Sequence, residues 1–254
     1  MTLDPVVTRA LAALVERYAL PPAAMAQLGE LLTALDADPH APTTVRAPAD
    51  ALNTHVADAL VALDLDLVRD ATSVADLGAG AGFPGLPLAV ALPRAEVALV
   101  ESVARKGVFI RAAAEAAGLT NVEVVADRAE SWTAGLGTRD LVTARALAPL
   151  AVLAEYAAPL LREGGALVAW KGRRDEQEDR EAAAAAGELG LVVEEIRAVA
   201  PYVDAEHRHL HVLRKVAPTP ERFPRRPGMA RKRPLGAKIE PPSDRPRRYR
   251  EADA

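Results

Sequence analysis

Two periods of apolar residues divide this chain. Over residues 5–18 (Leu11, Leu14, Val15) and 22–36 (Met25, Leu28, Leu31, Leu32, Leu35) they recur every three or four positions, the spacing of one helix face. Pro21-Pro22 starts the second helix, because a first-turn proline has no needed N–H to lose. Asp36 to Pro48 holds three prolines and reads as a loop. Residues 49–63 return to helix, with Leu52, Val56, Ala59, Leu60 and Leu63 on one face. From about residue 71 short apolar runs alternate with helical stretches. Strands are predicted over Thr72–Leu77, Glu96–Val100, Val122–Ala126, Asp140–Ala144 and Ala166–Trp170. Helices are predicted over Pro84–Leu92, 103–117 (closed by Gly118), 149–161 and 174–187. That alternation predicts an α/β fold with a mostly parallel sheet and helices on both faces. Leu191–Ala198 and His209–Lys215 follow without a helix between them, which predicts one antiparallel strand. From Ala217 onward there are eight prolines and no periodicity, as in an extended tail. The expected organisation is an N-terminal helical cap over 1–70, an α/β domain over 71–216 and a proline-rich tail over 217–254.

Half the residues are hydrophobic and only 4% aromatic, so the core must be built mainly of Ala, Val and Leu. The chain has no cysteine, which excludes disulfides, thiolate metal sites, iron–sulfur clusters and cysteine nucleophiles. Its start, Met1-Thr-Leu-Asp-Pro5, lacks the basic and apolar regions of a signal peptide. No apolar run is long enough to span a bilayer. A soluble, cytoplasmic monomer is expected. The net charge of −4 conceals an asymmetry: residues 217–254 contain eleven Lys or Arg against five Asp or Glu, and the rest of the chain is acidic. A basic tail on an acidic body is the pattern of a nucleic-acid partner, with Arg222, Arg225, Arg226, Arg231, Lys232 and Arg233 as RNA-binding candidates. The tail is expected to add RNA affinity without contributing to the fold or to cofactor affinity.

The densest chemistry lies in Val74-Ala-Asp-Leu-Gly-Ala-Gly-Ala-Gly-Phe-Pro-Gly85. A strand ends in Asp76, and Gly78, Gly80 and Gly82 follow before a helix start at Pro84. Glycines at that spacing let backbone pass against a ligand. The dinucleotide fingerprint would need glycine at 83, where Phe83 stands. A carboxylate at the strand end repels phosphates and suits a cationic amino-acid cofactor, so S-adenosylmethionine is favoured over NAD. Glu101, twenty-three residues past Gly78, can accept ribose hydroxyls, which fits either cofactor. Ligands in such sheets bind beyond the carboxyl ends of the strands. The other residues expected there are Asp127 to Glu130 after the third strand, Arg145 after the fourth and Lys171 after the fifth.

The segments Asp76–Gly85, Val-Glu-Ser-Val-Ala-Arg-Lys (100–106), Ala-Arg-Ala-Leu-Ala-Pro (144–149) and Trp-Lys-Gly (170–172) resemble the small-subunit ribosomal RNA methyltransferase G family, once called glucose-inhibited division protein B. The helix Leu52–Asp58 resembles that family's His-hydrophobic-x-Asp helix. Arg208-His209-Leu210 resembles its last-strand motif, and Phe223–Leu235 its basic C-terminal segment. The motifs run in the family's order over about residues 43–235. The family usually has Asn-Leu-Thr before Val-Arg; Ala41–Arg46 lacks that Asn, and the residues after 236 extend past the usual end.

The resemblance implies a class I S-adenosylmethionine-dependent methyltransferase fold, Rossmann-like. It implies methyl transfer to N7 of a guanine in 16S ribosomal RNA, with the RNA, the small subunit or an assembly intermediate as partner. Its cofactor contacts fall on Gly78, Phe83, Ala129, Glu130 and Arg145; general reasoning adds Asp76, Gly80, Gly82 and Glu101. Guanine N7 is a free lone pair at neutral pH, so no general base is required and catalysis can rest on positioning. Arg145, Lys171 and His55 are the positioning candidates. No metal is expected: His207, His209 and His211 share one strand face but have no accompanying carboxylate pattern. Ala200-Pro-Tyr202 resembles half of an amine-methylating motif but follows the wrong strand. The rival readings are an NAD-dependent oxidoreductase and a non-catalytic RNA-binding module.

Overall fold

The computed structural model describes residues 3–237. Seven strands, β1 (Ser73–Leu77), β2 (Glu96–Val100), β3 (Val122–Val125), β4 (Arg139–Arg145), β5 (Leu161–Lys171), β6 (Leu191–Val199) and β7 (Arg208–Lys215), form one sheet in the order β3-β2-β1-β4-β5-β7-β6. β1 to β5 pair in parallel, and β7 runs antiparallel to both β5 and β6. This is the expected architecture. The strand order reverses between β1 and β4, which opens a crevice at their carboxyl ends.

Period-two alternation builds a core on each face of the sheet. Val74, Val97, Leu99, Leu141 and Val168 face one way; Ala75, Leu77, Ala98, Val142 and Leu167 face the other. On the first face lie α1 (Pro5–Arg17), α2 (Ala24–Ala37), α6 (Gly85–Ala91) and α7 (Ala104–Ala116); Leu11, Leu28, Leu31, Leu32 and Leu35 enter the same core as Val74 and Leu99. The N-terminal helices therefore share the sheet's core. On the second face pack α8 (Leu150–Ala157) and α9 (Glu176–Leu189). Asp4 caps α1 ahead of Pro5, and Asp175 caps α9, which ends at left-handed Gly190. Lys215 is buried; its ammonium donates to the carbonyls of Ala158 and Leu189 at the ends of α8 and α9. Burial pushes it down to about 8.

Three expectations need correction. The helix expected over 149–161 stops at Ala157, and β5 begins at Leu161, paired with Arg139 before a register shift. The polar stretch Arg162-Glu163-Gly164-Gly165 belongs to that irregular strand start. The helix expected over 49–63 is composite. α3 (Pro48–Ala51) runs into a π-helical turn, Leu52–Ala57, then α4 (Asp58–Leu60) and a closing turn, Val61–Asp64. α5 (Asp66–Arg69) completes this region. Finally, the tail is part of the fold as far as it is described. Phe223 and Ala230 are buried in the second core, and α10 (Met229–Lys232) packs near α8. Arg225 clasps the buried Glu155 through Nε (2.6 Å) and Nη2. Two apolar anchors and one buried ion pair suffice to order a segment with no amphipathic period. Residues 238–254, with Lys238, lie outside the described residues.

Candidate active site

The glycine loop builds the first of two clefts from backbone. Gly78, Gly80 and Gly82 have φ of +67°, +62° and +92°, values that favour glycine. The Gly78 N–H donates to the Val100 carbonyl (2.9 Å), which clamps the loop to the end of β2. A Cβ at Gly78 would strike Leu147, and one at Gly82 would strike Leu86. Over Gly80 the nearest atom would be the Gly78 carbonyl oxygen at 3.7 Å, so that side is open. Glu101 stands at the end of β2, where it accepts the Gly80 N–H (3.1 Å) and the Val103 N–H (2.8 Å). Beyond β3 the turn from Asp127 to Glu130 forms the far wall. The resulting glycine-loop cleft encloses ≈ 240 Å³ and is also lined by Leu147, Tyr156 and Arg231. The sequence-predicted residues Gly78, Ala129 and Glu130 line it directly.

Asp76 is a correction. Its carboxylate is fully buried, accepting the Gly85 N–H and the Thr143 hydroxyl, each at 2.9 Å. It does not reach the cleft. It ties the start of α6 and the middle of β4 to β1. Burial pushes it up to about 7 against the pull of those two donors. Phe83 is buried too, and its ring stacks on His55 with centroids 4.7 Å apart.

The second cleft, ≈ 350 Å³, lies over the ends of β4, β5 and β7. It is built from side chains: Thr54, Asp58, Arg145, Trp170, Lys171 and Arg208. The Arg145 guanidinium donates to Asp58 Oδ2 and to the Thr54 carbonyl, both at 2.8 Å. Its Nη2 lies 3.2 Å from His55 Nδ1. Arg145 thus contributes its side chain to this cleft and not to the glycine-loop cleft, where the resemblance had put it. His55 Nε2 lies 3.1 Å from the Val45 carbonyl, which accepts only from N–H, leaving Nδ1 as acceptor for Arg145. Burial, reinforced by the Arg145 charge, lowers His55 to about 4, so the ring is neutral. His55 therefore serves as a rigid spacer between Phe83 and Arg145.

Lys171 donates to Glu178 Oε1 (2.6 Å), which also accepts the Leu150 N–H. The Trp170 indole N–H donates to the Asp58 carbonyl (2.7 Å). Asp58 Oδ1 is buried with no hydrogen-bond partner among the described residues, and Arg208 Nε stands 3.6 Å from it. Asp58, Trp170 and Arg208 line this cleft although none was among the expected site residues. The signal was present in the His-x-x-Asp spacing, which brings His55 and Asp58 to one side of a helix. The π-helical turn brings both onto Arg145: the Asp58 N–H reaches back five residues to the Asn53 carbonyl.

One segment separates the clefts. After Arg145 the chain passes through Ala146, whose φ of +53° is unusual for a residue with a Cβ. Ala146 and Ala148 face the cation-lined cleft, and Leu147 faces the glycine-loop cleft. Two compartments, one shaped by backbone and one by cations around a carboxylate, meet at the β1–β4 crossover. Of the predicted RNA-binding arginines, Arg222 pairs with Glu188 (2.8 Å), Arg225 with Glu155, and Arg231 donates to the Leu147 carbonyl (2.8 Å).

Comparison with known proteins bears on the family and the fold. A family model described as rRNA small subunit methyltransferase G matches residues 23–210. The Ribosomal RNA small subunit methyltransferase G of Pelotomaculum thermopropionicum is 43% identical over 184 residues, covering 71% of this chain and 77% of that protein. Its counterpart in Deinococcus deserti is 43% identical over 196 residues, covering 76% and 80%. Among solved structures, the mitomycin 7-O-methyltransferase MmcR superposes with a TM-score of 0.53 at 15% identity, covering 67% of this chain and 56% of that one. That last likeness bears on the fold alone.

Proposed function

The chain belongs to the rRNA small subunit methyltransferase G family, and from that premise we propose that it transfers a methyl group from S-adenosylmethionine to N7 of a guanine in 16S ribosomal RNA. The observation that carries this reading is the pair of clefts sharing the wall from Arg145 to Ala148. The glycine-loop cleft fits the cofactor: the open space over Gly80, which a Cβ would fill, lets a ligand lie against backbone, and Glu101 retains lone pairs for ribose hydroxyls. When bound, S-adenosylmethionine supplies a methyl group on a sulfonium, which a lone pair can take without loss of a proton.

The cation-lined cleft then holds the base. Guanine offers O6 as an acceptor, which Lys171 or Arg208 can approach, and N1–H and N2–H as donors. Asp58 Oδ1, which has no hydrogen-bond partner among the described residues, is the acceptor that matches those donors. Adenine has no N1–H, so the same carboxylate discriminates against it. Trp170 offers an aromatic face at the cleft wall. No group need remove a proton from N7, and the neutral His55, with both ring nitrogens engaged, has no such task. The residues of the site bind, orient and exclude water. This reading implies a cytoplasmic enzyme that acts as a monomer on ribosomal RNA, free or in the small subunit or its assembly intermediates. Among the described residues no helix is long and apolar enough to cross a membrane.

Cleavage mapping tests the assignment. N7-methylguanosine is labile to borohydride–aniline treatment, so 16S RNA from a deletion strain should lose one cleavage site that the wild-type RNA shows. An unchanged map refutes the substrate and leaves the cofactor reading to be tested by titration. Methyl incorporation into an exocyclic amine would refute the N7 chemistry.

A further inference from the structure

The C-terminal arm enters the glycine-loop cleft. Phe223 is buried at its base, and the Arg225–Glu155 pair fixes it to α8. The arm then spans the cleft mouth. The Gly228 N–H donates to Glu130 Oε1 (2.9 Å) on the β3 side, and Arg231 Nη2 donates to the Leu147 carbonyl (2.8 Å) on the β1–β4 side. Both acceptor residues line the cleft. The arm is thus anchored at both rims, and Arg231 projects its guanidinium at the end where the glycine loop and Leu147 meet.

We propose that Arg231 binds the carboxylate of the cofactor's methionine half, which makes the basic arm a component of the cofactor site. The proposal rests on the S-adenosylmethionine reading above. In that reading Glu101 at the end of β2 takes the ribose and the Asp127–Glu130 turn takes the adenine, and the two together fix the direction of the ligand. The adenine lies toward the Asp127–Glu130 turn, and the amino-acid end lies toward Gly78 and Leu147. That end carries the only anionic group of the molecule. A guanidinium keeps free N–H groups after donating one to Leu147, because it has five. Its planar fork suits a carboxylate. Among the described residues lining the cleft, the other cation is Arg128, on the adenine side. Arg231 had been expected to touch RNA alone, with cofactor affinity independent of the tail.

Calorimetry on the full chain tests this with three ligands. S-adenosylmethionine and S-adenosylhomocysteine both have the amino-acid end; 5′-methylthioadenosine has the same adenosine and sulfur without it. Arg231→Ala should weaken the first two by about tenfold, the scale of one charge-assisted hydrogen bond. Methylthioadenosine affinity should stay within about twofold. An equal loss for all three ligands would mean that the arm only shapes the wall, and would overturn the carboxylate assignment. So would unchanged binding of all three. Arg226→Ala removes one charge from the same arm without touching the cleft and should leave all three affinities unmoved; a tenfold loss there would reduce the effect to long-range charge. Wild-type protein that binds none of the ligands would refute the cofactor reading itself.

Discussion

The two clefts along the carboxyl edge of the sheet are built by opposite means. The glycine-loop cleft is made mainly of backbone, small residues and turns, each read from its own short stretch after a strand: Gly78, the end of β2, and Asp127 to Glu130, with Leu147, Tyr156 and Arg231 completing it. The cation-lined cleft is made of long side chains from Asp58, Arg145, Lys171 and Arg208, brought together only by the sheet order. The first should be damaged by added volume and be indifferent to charge removal at the other end. The second should be damaged by charge removal. A local, backbone-built site is legible as a motif. A site assembled from distant side chains becomes legible only once the topology is known.

The largest expected effect comes from adding volume to the first cleft. Gly80→Val should weaken S-adenosylhomocysteine by more than about a hundredfold, since its Cβ enters the ligand's space. The φ of +62° adds a strain of about 1–2 kcal/mol, lowering the melting temperature by only a few degrees. Calorimetry showing wild-type affinity would end the distinction between the clefts. Next comes charge removal in the second. Asp58→Ala leaves the Arg145 guanidinium partly buried without its carboxylate and should cost about 4 kcal/mol. It should also abolish methyl transfer while cofactor affinity holds. Loss of cofactor affinity in a folded Asp58→Ala protein would show that the compartments are not separable.

A pH series sharpens the same contrast. His55 is lowered to about 4 in the folded protein against an ordinary 6.5. Between those values the unfolded chain binds more protons, so this residue makes stability fall as pH drops from 6.5 towards 4, by roughly 2–3 kcal/mol. Asp76, raised to about 7, acts in the opposite direction between 3.8 and 7, because there the folded form binds more protons. Melting wild type and His55→Gln at both ends of the window separates the two: the variant should lose the acid-side decline. A parallel decline in both proteins would place the titration elsewhere. The smallest effect tests the reassignment of Asp76. Asp76→Asn should change cofactor affinity by less than about threefold, because the side chain holds Gly85 and Thr143 and not the ligand. A tenfold loss would return Asp76 to the cleft.

Much of the fold was legible because each strand's apolar run is short and well bounded, and because the helices between strands are long enough to require parallel crossovers. The β7 reversal followed from the missing helix between the last two strands. The glycine loop was legible for the same local reason. Asp76 was misplaced because a strand-end carboxylate looks the same in sequence whether it faces a ligand or turns back under the next helix; Gly85 N–H and Thr143 decide, and Thr143 lies on another strand. The tail was misread because its order depends on Glu155, a buried acid that has its partner seventy residues later. Arg145 was expected at the carboxyl edge of the sheet, yet its partner Asp58 lies 87 residues upstream, a pairing that no local pattern reveals.

The π-helical turn over Leu52–Ala57 makes the cation-lined cleft depend on chain length as well as on residue type. Such a turn accommodates more residues than the α-helical turns around it. In a regular helix each residue advances the direction of its side chain by about 100°. Deleting the single codon for Ala57 would favour the regular winding and rotate Asp58 relative to His55, with every charged group still present. The cleft is therefore open to a frame-preserving lesion that changes no charge at all, in which a carboxylate is lost from the site by rotation alone.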